Sequence, residues 1–276
     1  MSKIYHYTSI EILALILSSH KIRFTRLDLL DDMLECEAFP QEAIFLAQSI
    51  YASSWTRDSE ENIPLWKMYS SIDKGIRIAM PEDLFNHYII EPFSCSNHGI
   101  SKRLISPFTK EQLLYNGEYL ITNIFNKERH DFFKDVTYIN DVKSFYQNSI
   151  HILQNSQTGL CDIRIENYWD FGKYKEKKWE FQKESRFVLF TKKLLPLSHP
   201  LINENIQKQF DPEAISHIMP NDKKYIDVEI SDEAFKQMEI TLPPCITPGY
   251  RIIVESLIKQ YNPTAIIHNS TLKLRK

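Results

Sequence analysis

The sequence predicts an α+β fold in a single domain. Short β-type runs alternate with amphipathic helical patterns along most of the 276 residues. A composition that is 43% hydrophobic and 12% aromatic supplies enough apolar surface for a sizeable core. No internal repeat, low-complexity tail or linker divides the chain, so we expect one domain over residues 1–276.

Alternating patterns and capping residues predict the N-terminal elements. Strands are predicted at Lys3–Thr8, Lys21–Thr25, Ile50–Thr56 and Gly75–Met80. Ser9 can cap a helix in which Ile12, Leu13, Ile16 and Leu17 recur at helical spacing. Pro40 favours the start of a second helix, and Asn62 with Pro64 favours a third.

The C-terminal elements follow a long middle segment. That segment has aromatic-rich stretches at Glu111–Lys134 and Asp141–Gln154, so we expect a helical insertion over about residues 100–175. Strands are then predicted at Ser185–Thr191, Tyr225–Ile230 and Met238–Leu242, a helix at Pro248–Tyr261 and an edge strand at Ala265–His268.

Composition narrows the classes of protein to consider. With 33 basic and 36 acidic residues and a net charge of −3, the chain has no overall electrostatic footprint for nucleic acid. Its four cysteines lack the paired spacing of a zinc site or a disulfide framework. No run approaches the roughly 20 apolar residues of a membrane span, and no signal peptide is visible. We therefore expect a cytoplasmic protein without a membrane partner.

Several familiar catalytic signatures are absent from the sequence. With six glycines, the chain has neither a Gly-rich dinucleotide turn nor a phosphate-cradling loop. It also lacks paired helical histidines around a glutamate and the serine elbow of the α/β hydrolases. The remaining chemistry uses a carboxylate, an imidazole and aromatic rings, with no metal expected.

A polar row near residue 180 predicts a functional site. Gln182, Glu184 and Arg186 alternate where a helical pattern becomes a strand pattern, so they would share one face. Such groups on a half-buried strand need partners from the protein or from a ligand. We expect Glu184 and His6 of the first strand to face one cleft. The alternatives are an internal Glu184–Arg186 ion pair and a structural histidine.

These residues belong to a series of motifs that resembles a bacterial family known as domain of unknown function 2971. The motifs are, in order, His6-Tyr7-Thr8, Asp31-Asp32 with Glu35, Trp66-x-x-Tyr69 before Lys74-Gly75-Ile76, Trp179 with Gln182-x-Glu184-x-Arg186, Ile240-x-Leu242-x-Pro244, and Ser270 with Leu272. The chain departs from the family at Asp31, where Asn is common, and at Gln182, where Glu is common.

That family is in turn similar to the ADP-ribosyltransferases of bacterial toxins and phage defence. The resemblance implies an ADP-ribosyltransferase-like split β-sheet core and NAD as the substrate. It implies transfer of ADP-ribose to a protein or nucleic acid, or NAD hydrolysis, with an antitoxin or defence partner. It also implies that His6 holds the nicotinamide ribose, Tyr69 stacks on nicotinamide, Glu184 is the catalytic carboxylate and Gln182 helps to choose the acceptor.

The residue types suit this chemistry. A fixed carboxylate such as Glu184 stabilises the positive charge that develops on the ribose as the nicotinamide bond breaks. Tyr7 is a second candidate for stacking on the cationic ring, beside Thr8 in the same strand. Arg186 would hold Glu184 ionised or bind a phosphate, and Arg57 or Arg23 would bind the pyrophosphate.

Two other functions stay open at this point. One is a non-catalytic module that senses or binds a nucleotide, and the other is a nuclease-like effector, which the lack of clustered metal-ligand carboxylates disfavours. Asp31, Asp32 and Glu35 are predicted to order the turn after the second strand and to touch the edge of the cleft. The lysine-rich run Lys173–Lys178 is predicted to be a solvated helix face.

Overall fold

The structure is a computed structural model that describes residues 2–95, 98–100, 103–113, 119–121, 132–154, 161–193 and 221–275. The strands are β1 (Lys3–Ser9), β2 (Lys21–Arg26), β3 (Ile50–Thr56), β4 (Gly75–Pro81), β5 (Tyr88–Ile90), β6 (Phe93–Cys95), β7 (His98–Ile100), β8 (Leu104–Ser106), β9 (Tyr119–Ile121), β10 (Phe133–Asp135), β11 (Thr137–Ile139), β12 (Ile150–Gln154), β13 (Cys161–Ile165), β14 (Tyr174–Glu176), β15 (Glu184–Lys193), β16 (Tyr225–Glu229), β17 (Glu239–Leu242) and β18 (Ile266–Asn269). The α-helices are α1 (Ile10–Ser19), α2 (Leu34–Glu37), α3 (Ile63–Tyr69), α4 (Lys110–Leu113), α5 (Val142–Ser149), α6 (Asp232–Lys236) and α7 (Pro248–Tyr261). Short 3₁₀ helices cover Leu27–Leu29, Gln41–Ser49, Tyr168–Asp170 and Lys177–Gln182.

A large mixed sheet organises the described residues and confirms the α+β class. Its main path runs β10-β15-β3-β1-β4-β17-β18, with β9 paired to β15, β2 to β3 and β16 to β2. The β17–β18 pair is parallel, and the other pairs of this sheet are antiparallel. Strands β1 and β15 both flank β3, where Tyr5 and Glu184 are each in register with Thr56. The prediction that the first strand and the Glu184 strand lie in one sheet is therefore confirmed.

Strand β15 is apolar on both sides because it separates two parts of the core. Phe187 and Leu189 face the larger cluster, which includes α1, α6 and α7. Val188 and Phe190 face a second cluster built from the 3₁₀ helix Gln41–Ser49 and α5. This double burial explains why the predicted alternation along β15 ends after Arg186.

Capping side chains set several boundaries as the sequence predicts. The Ser9 hydroxyl accepts a hydrogen bond from the Ile12 amide at 3.2 Å and begins α1. The Asn62 side chain does the same for the Leu65 amide at 3.2 Å and begins α3. Helix α7 has the predicted bounds, and Thr247 caps it.

The middle of the chain differs from the predicted helical insertion. Strands β9 and β12 lie within the two stretches predicted to be helical, β10 begins at the end of the first stretch, and β11 lies between the two. In the described part of these stretches, α-helix is confined to α4 and α5. Tertiary packing overrides local pattern here, because the Phe133 ring packs against Phe187 of the neighbouring strand at 4.2 Å between ring centroids. Residues 101–102, 114–118, 122–131 and 155–160 of the predicted insertion lie outside the described residues.

Another difference concerns the segment after Pro40, which forms the 3₁₀ helix Gln41–Ser49 instead of an α-helix. Among the described residues, no helix has the length and apolar character of a membrane span.

Candidate functional site

An aromatic cleft opens where β1, β3 and α3 meet the segment that enters β15. It encloses about 450 Å³ of empty space that includes open solvent. Its lining residues are Tyr5, His6, Tyr7, Asp31, Ser54, Trp55, Thr56, Leu65, Tyr69, Lys175, Gln182 and Glu184. His6, Tyr7, Tyr69, Gln182 and Glu184 are thus brought together, as the sequence predicts.

His6 is a neutral imidazole that offers one free acceptor nitrogen. Its Nδ1 lies 2.8 Å from the carbonyl oxygen of Ser54, which can only accept, so Nδ1 carries the proton. Burial lowers the pKa of His6, and the raising effect of the Ser54 carbonyl is smaller. The Trp55 ring lies 5.1 Å away between centroids and helps to fix the imidazole plane. Nε2 is left as an acceptor for a ligand hydroxyl.

Arg186 joins two buried carboxylates behind the cleft. Its Nε donates to Glu184 Oε1 at 2.5 Å, and its Nη2 donates to Glu184 Oε2 at 3.1 Å. On the other side Nη2 donates to Glu35 Oε1 at 2.8 Å, and Nη1 donates to Glu35 Oε2. Arg186 and Glu35 are 1% exposed and Glu184 is 7% exposed. The predicted Glu184–Arg186 ion pair is therefore present, with Glu184 at the boundary between the pair and the cleft.

Lys175 is a second buried cation, and it reaches the cleft. Its Nζ donates to Gln182 Oε1 at 2.9 Å and to Glu184 Oε2 at 3.2 Å, and it lies 3.5 Å from Glu35 Oε1. The ammonium group also lies 4.8 Å from the centroid of the Trp179 ring. Lys175 is 1% exposed, so the solvated face predicted for the surrounding lysine run is wrong at this position.

Glu184 is held ionised by its two cationic neighbours. Burial alone would raise its pKa, but Arg186 and Lys175 outweigh that effect and lower the pKa from 4.5 to about 2. The Ser54 hydroxyl contributes in the same direction. A fixed negative charge therefore stands at the bottom of a cleft lined by aromatic rings.

Gln182 lies in a turn and not on the predicted strand. It ends the 3₁₀ helix Lys177–Gln182, and Lys183 follows in the left-handed region with φ of 45°. The Lys183 amide donates to the Glu180 carbonyl at 3.1 Å and closes the turn. The Glu184 amide donates to the Tyr138 hydroxyl at 2.8 Å. Both Gln182 and Glu184 still line the cleft.

The acidic loop contributes to the site in three ways. Asp32 Oδ1 accepts a hydrogen bond from the Leu34 amide at 3.2 Å, in agreement with the predicted role in ordering the turn. Glu35 pairs with Arg186 inside the protein. Asp31 lines the cleft, and its Oδ2 accepts from the Tyr69 hydroxyl at 2.5 Å.

The structure does not bring Thr8, Arg57 or Arg186 to the lining of the cleft. Thr8 is buried in the sheet, and Arg186 is enclosed by its two carboxylate partners. Arg57 lies elsewhere: its Nε donates to Asp135 at 2.8 Å, and its guanidinium covers the Phe133 ring at 4.5 Å. The predicted contacts of these three residues with NAD therefore have no support in the geometry of the cleft.

Sequence reasoning missed Lys175, Tyr5 and Trp55 as lining residues. Lys175 lies on β14, which pairs with β11, and this pairing turns the lysine inward. No alternation of apolar residues in the run around Lys175 signals this strand. Trp55 was detectable only as part of a predicted strand.

Comparison of the chain with protein-family models, with curated proteins and with solved structures finds no match. Within the described ranges, no group of three or more His, Cys, Asp or Glu residues is arranged to hold a metal ion.

Proposed function

We propose that this chain is an ADP-ribosyltransferase-like enzyme that uses NAD as its substrate. In this proposal it transfers ADP-ribose to a protein or nucleic acid, or hydrolyses NAD. The observation that carries the proposal is the Glu184 carboxylate, which Arg186 and Lys175 hold at the base of an aromatic cleft. The resemblance of the ordered motifs to ADP-ribosyltransferases supports it, and an ADP-ribosyltransferase-like split sheet is part of the same proposal.

Glu184 has the properties that cleavage of a nicotinamide–ribose bond requires. As the bond lengthens, positive charge develops at the ribose carbon, and a preorganised anion lowers the barrier. The anion must not move or become protonated. The bidentate contact of Arg186 and the ammonium group of Lys175 prevent both.

The rest of the cleft suits a planar ring joined to a sugar. Tyr7 and Tyr69 offer aromatic surface for the nicotinamide ring, and the free Nε2 of His6 can accept from a ribose hydroxyl. The acceptor macromolecule and a toxin or phage-defence setting, with an antitoxin or defence partner, are proposed from the motif resemblance alone.

One observation favours a second candidate, a non-catalytic module that binds or senses a nucleotide. Both oxygens of Glu184 already accept hydrogen bonds from Arg186, and one also accepts from Lys175. A carboxylate with about four acceptor positions retains little capacity for a substrate when Arg186 and Lys175 occupy three of them and the Ser54 hydroxyl also bonds to it. Binding of NAD without release of nicotinamide would identify this function.

Glu184→Gln tests the enzymatic proposal directly. It keeps the shape of the side chain but removes the charge, so nicotinamide release from NAD should fall by roughly 100-fold or more. The matched control is Glu180→Gln, which changes an exposed carboxylate in the 3₁₀ helix that ends at Gln182.

Nicotinamide release would be followed by chromatography, and NAD binding by calorimetry. Because Glu184→Gln also disturbs a buried ion pair, both are measured below the unfolding temperature of the variant, established by circular dichroism. Activity in folded Glu184→Gln equal to that of the control would reject Glu184 as the catalytic carboxylate.

A further inference from the structure

Hydrogen bonds connect the buried charges to the rim of the cleft through four side chains. An ammonium group can only donate, so the Gln182 atom 2.9 Å from Lys175 Nζ is the amide oxygen. The Gln182 amide nitrogen then donates to the Tyr69 hydroxyl oxygen. Tyr69 in turn donates its proton to Asp31 Oδ2 at 2.5 Å. Every donor in this series of hydrogen bonds points towards Asp31, so Asp31 is the acceptor at its end.

Asp31 differs from Glu184 in exposure and in its partners. It is exposed at the cleft, and its Oδ1 makes no hydrogen bond to any described residue. Burial raises the pKa of Tyr69 and the Asp31 carboxylate raises it further, so the hydroxyl keeps its proton and continues to donate. Glu184 is buried, and its oxygens are held by Arg186 and Lys175. Two carboxylates of one cleft in such different surroundings are suited to different roles.

We infer that Asp31 is the catalytic base that takes the proton from the attacking O–H group, an inference that rests on the proposed NAD chemistry. The oxygen of water or of an acceptor hydroxyl bonds to the ribose carbon, and its proton passes to Asp31. The bond from that carbon to the ring nitrogen breaks, and its electron pair leaves with nicotinamide, which becomes neutral. The base later releases the proton to solvent, so one proton is produced for each NAD consumed.

Tyr69 and Gln182 are positioning residues in this inference. They orient Asp31 without touching the attacking oxygen, and Lys175 sets the direction of their donors. Lys175 and Tyr69 engage one lone pair and one N–H group of the Gln182 amide, and in this inference Asp31, instead of Gln182, acts on the acceptor.

The test compares Asp31→Asn with Glu37→Gln, an exposed control from the same acidic segment. Nicotinamide release from NAD is measured in buffer and in sodium azide, because azide is an anionic nucleophile with no proton to remove. For Asp31→Asn we expect kcat in buffer to fall by roughly 100-fold or more, with KM for NAD changed by less than about 3-fold. Azide should restore turnover and give ADP-ribosyl azide, detected by mass spectrometry.

The outcomes separate this inference from the proposed function. Turnover by Asp31→Asn close to that of the control, with Glu184→Gln inactive, would overturn the inference and leave the proposed function intact. Loss of turnover that azide does not restore would also overturn it, because Asp31 would then only shape the cleft. If the unsubstituted protein releases no nicotinamide in water or azide, the proposed function itself fails and the inference fails with it.

Discussion

Two carboxylates and two cations are buried together behind the cleft. Glu35, Glu184, Lys175 and Arg186 are each at most 7% exposed, and their formal charges cancel. Removing four charges from water is costly, and dense pairing among them is what offsets that cost. The arrangement fixes Glu184 in one place and one charge state, which is the requirement of the proposed chemistry.

Loss of one cation from this group should destabilise the fold strongly. Arg186→Met leaves Glu35 and Glu184 without their main partner, so the free energy of unfolding should fall by about 3–5 kcal/mol. Arg23→Met is the control, since it breaks the exposed Arg23–Asp227 pair and should cost at most about 1 kcal/mol. Urea denaturation measures both. Equal effects of the two substitutions would contradict this account of the buried charges.

At the residue scale, the sequence best predicts that a polar residue lines the site where that residue interrupts an apolar pattern. Glu184 and His6 stand out because each lies on a short β-type run, and the cleft contains both. Lys175 could not be predicted, because it lies in a run where every neighbour is polar or aromatic and only pairing with β11 buries it. Arg57 was placed wrongly because a guanidinium can reach many partners, and the Asp135 partner is distant in sequence.

Helix α3 depends on a close approach at its C-terminal end. An added Cβ at Gly75 would lie 2.4 Å from both the Ser70 Cβ and the Ser71 nitrogen, where the chain turns from α3 into β4. The Gly75 amide also donates to the Ser71 carbonyl at 3.0 Å, which fixes the turn. This turn connects Leu65 and Tyr69, which line the cleft, to the centre of the sheet.

Gly75→Ala should therefore lower the free energy of unfolding by about 1–3 kcal/mol, because the backbone of the turn must move. Gly249→Ala is the matched control. A Cβ there meets nothing within 4 Å, and alanine favours helix α7 by up to about 1 kcal/mol. Thermal unfolding should show opposite shifts for the two variants. An unchanged unfolding temperature for Gly75→Ala would show that the turn relaxes freely.

At the element scale, capped helices and alternating strands were predictable, and the middle segment was not. Ser9, Asn62 and Pro248 mark helix starts by local hydrogen bonding or by a fixed backbone angle, so no distant contact is needed. Strands β10 and β11 are three residues each and depend on partners that are remote in sequence. Local patterns carry little information about such short pairings.

At the scale of the whole molecule, the C-terminal segment Ser270–Leu272 packs against the wall of the cleft that β1 and α3 form. Glu61 precedes α3, and its two oxygens accept hydrogen bonds from the Trp66 indole, the Ser270 hydroxyl, and the Thr271 amide and hydroxyl. Leu272 packs against the cluster of Tyr7, Leu65 and Trp66. The segment thus packs against the wall of the cleft that contains Tyr7.

Glu61→Gln should release this segment. Both oxygens of Glu61 face only donors, and the substitution replaces one of them with an NH₂ group, which cannot accept. The free energy needed to open the segment should fall by about 1–2 kcal/mol. Amide hydrogen exchange at Thr271 and Leu272 should therefore become roughly 5- to 30-fold faster. Glu60→Gln, an exposed neighbour, is the control.

Burial would raise the pKa of Glu61, but the hydrogen bonds from Ser270, Thr271 and Trp66 lower that pKa overall from 4.5. A lowered pKa in the folded state means that the contribution is complete above 4.5 and is lost as the pH falls below it. Acid should therefore loosen the segment in the unsubstituted protein and have less effect in Glu61→Gln. Hydrogen exchange followed by mass spectrometry measures both effects, and identical exchange in Glu61→Gln and the control would show that the Glu61 hydrogen bonds do not hold the segment.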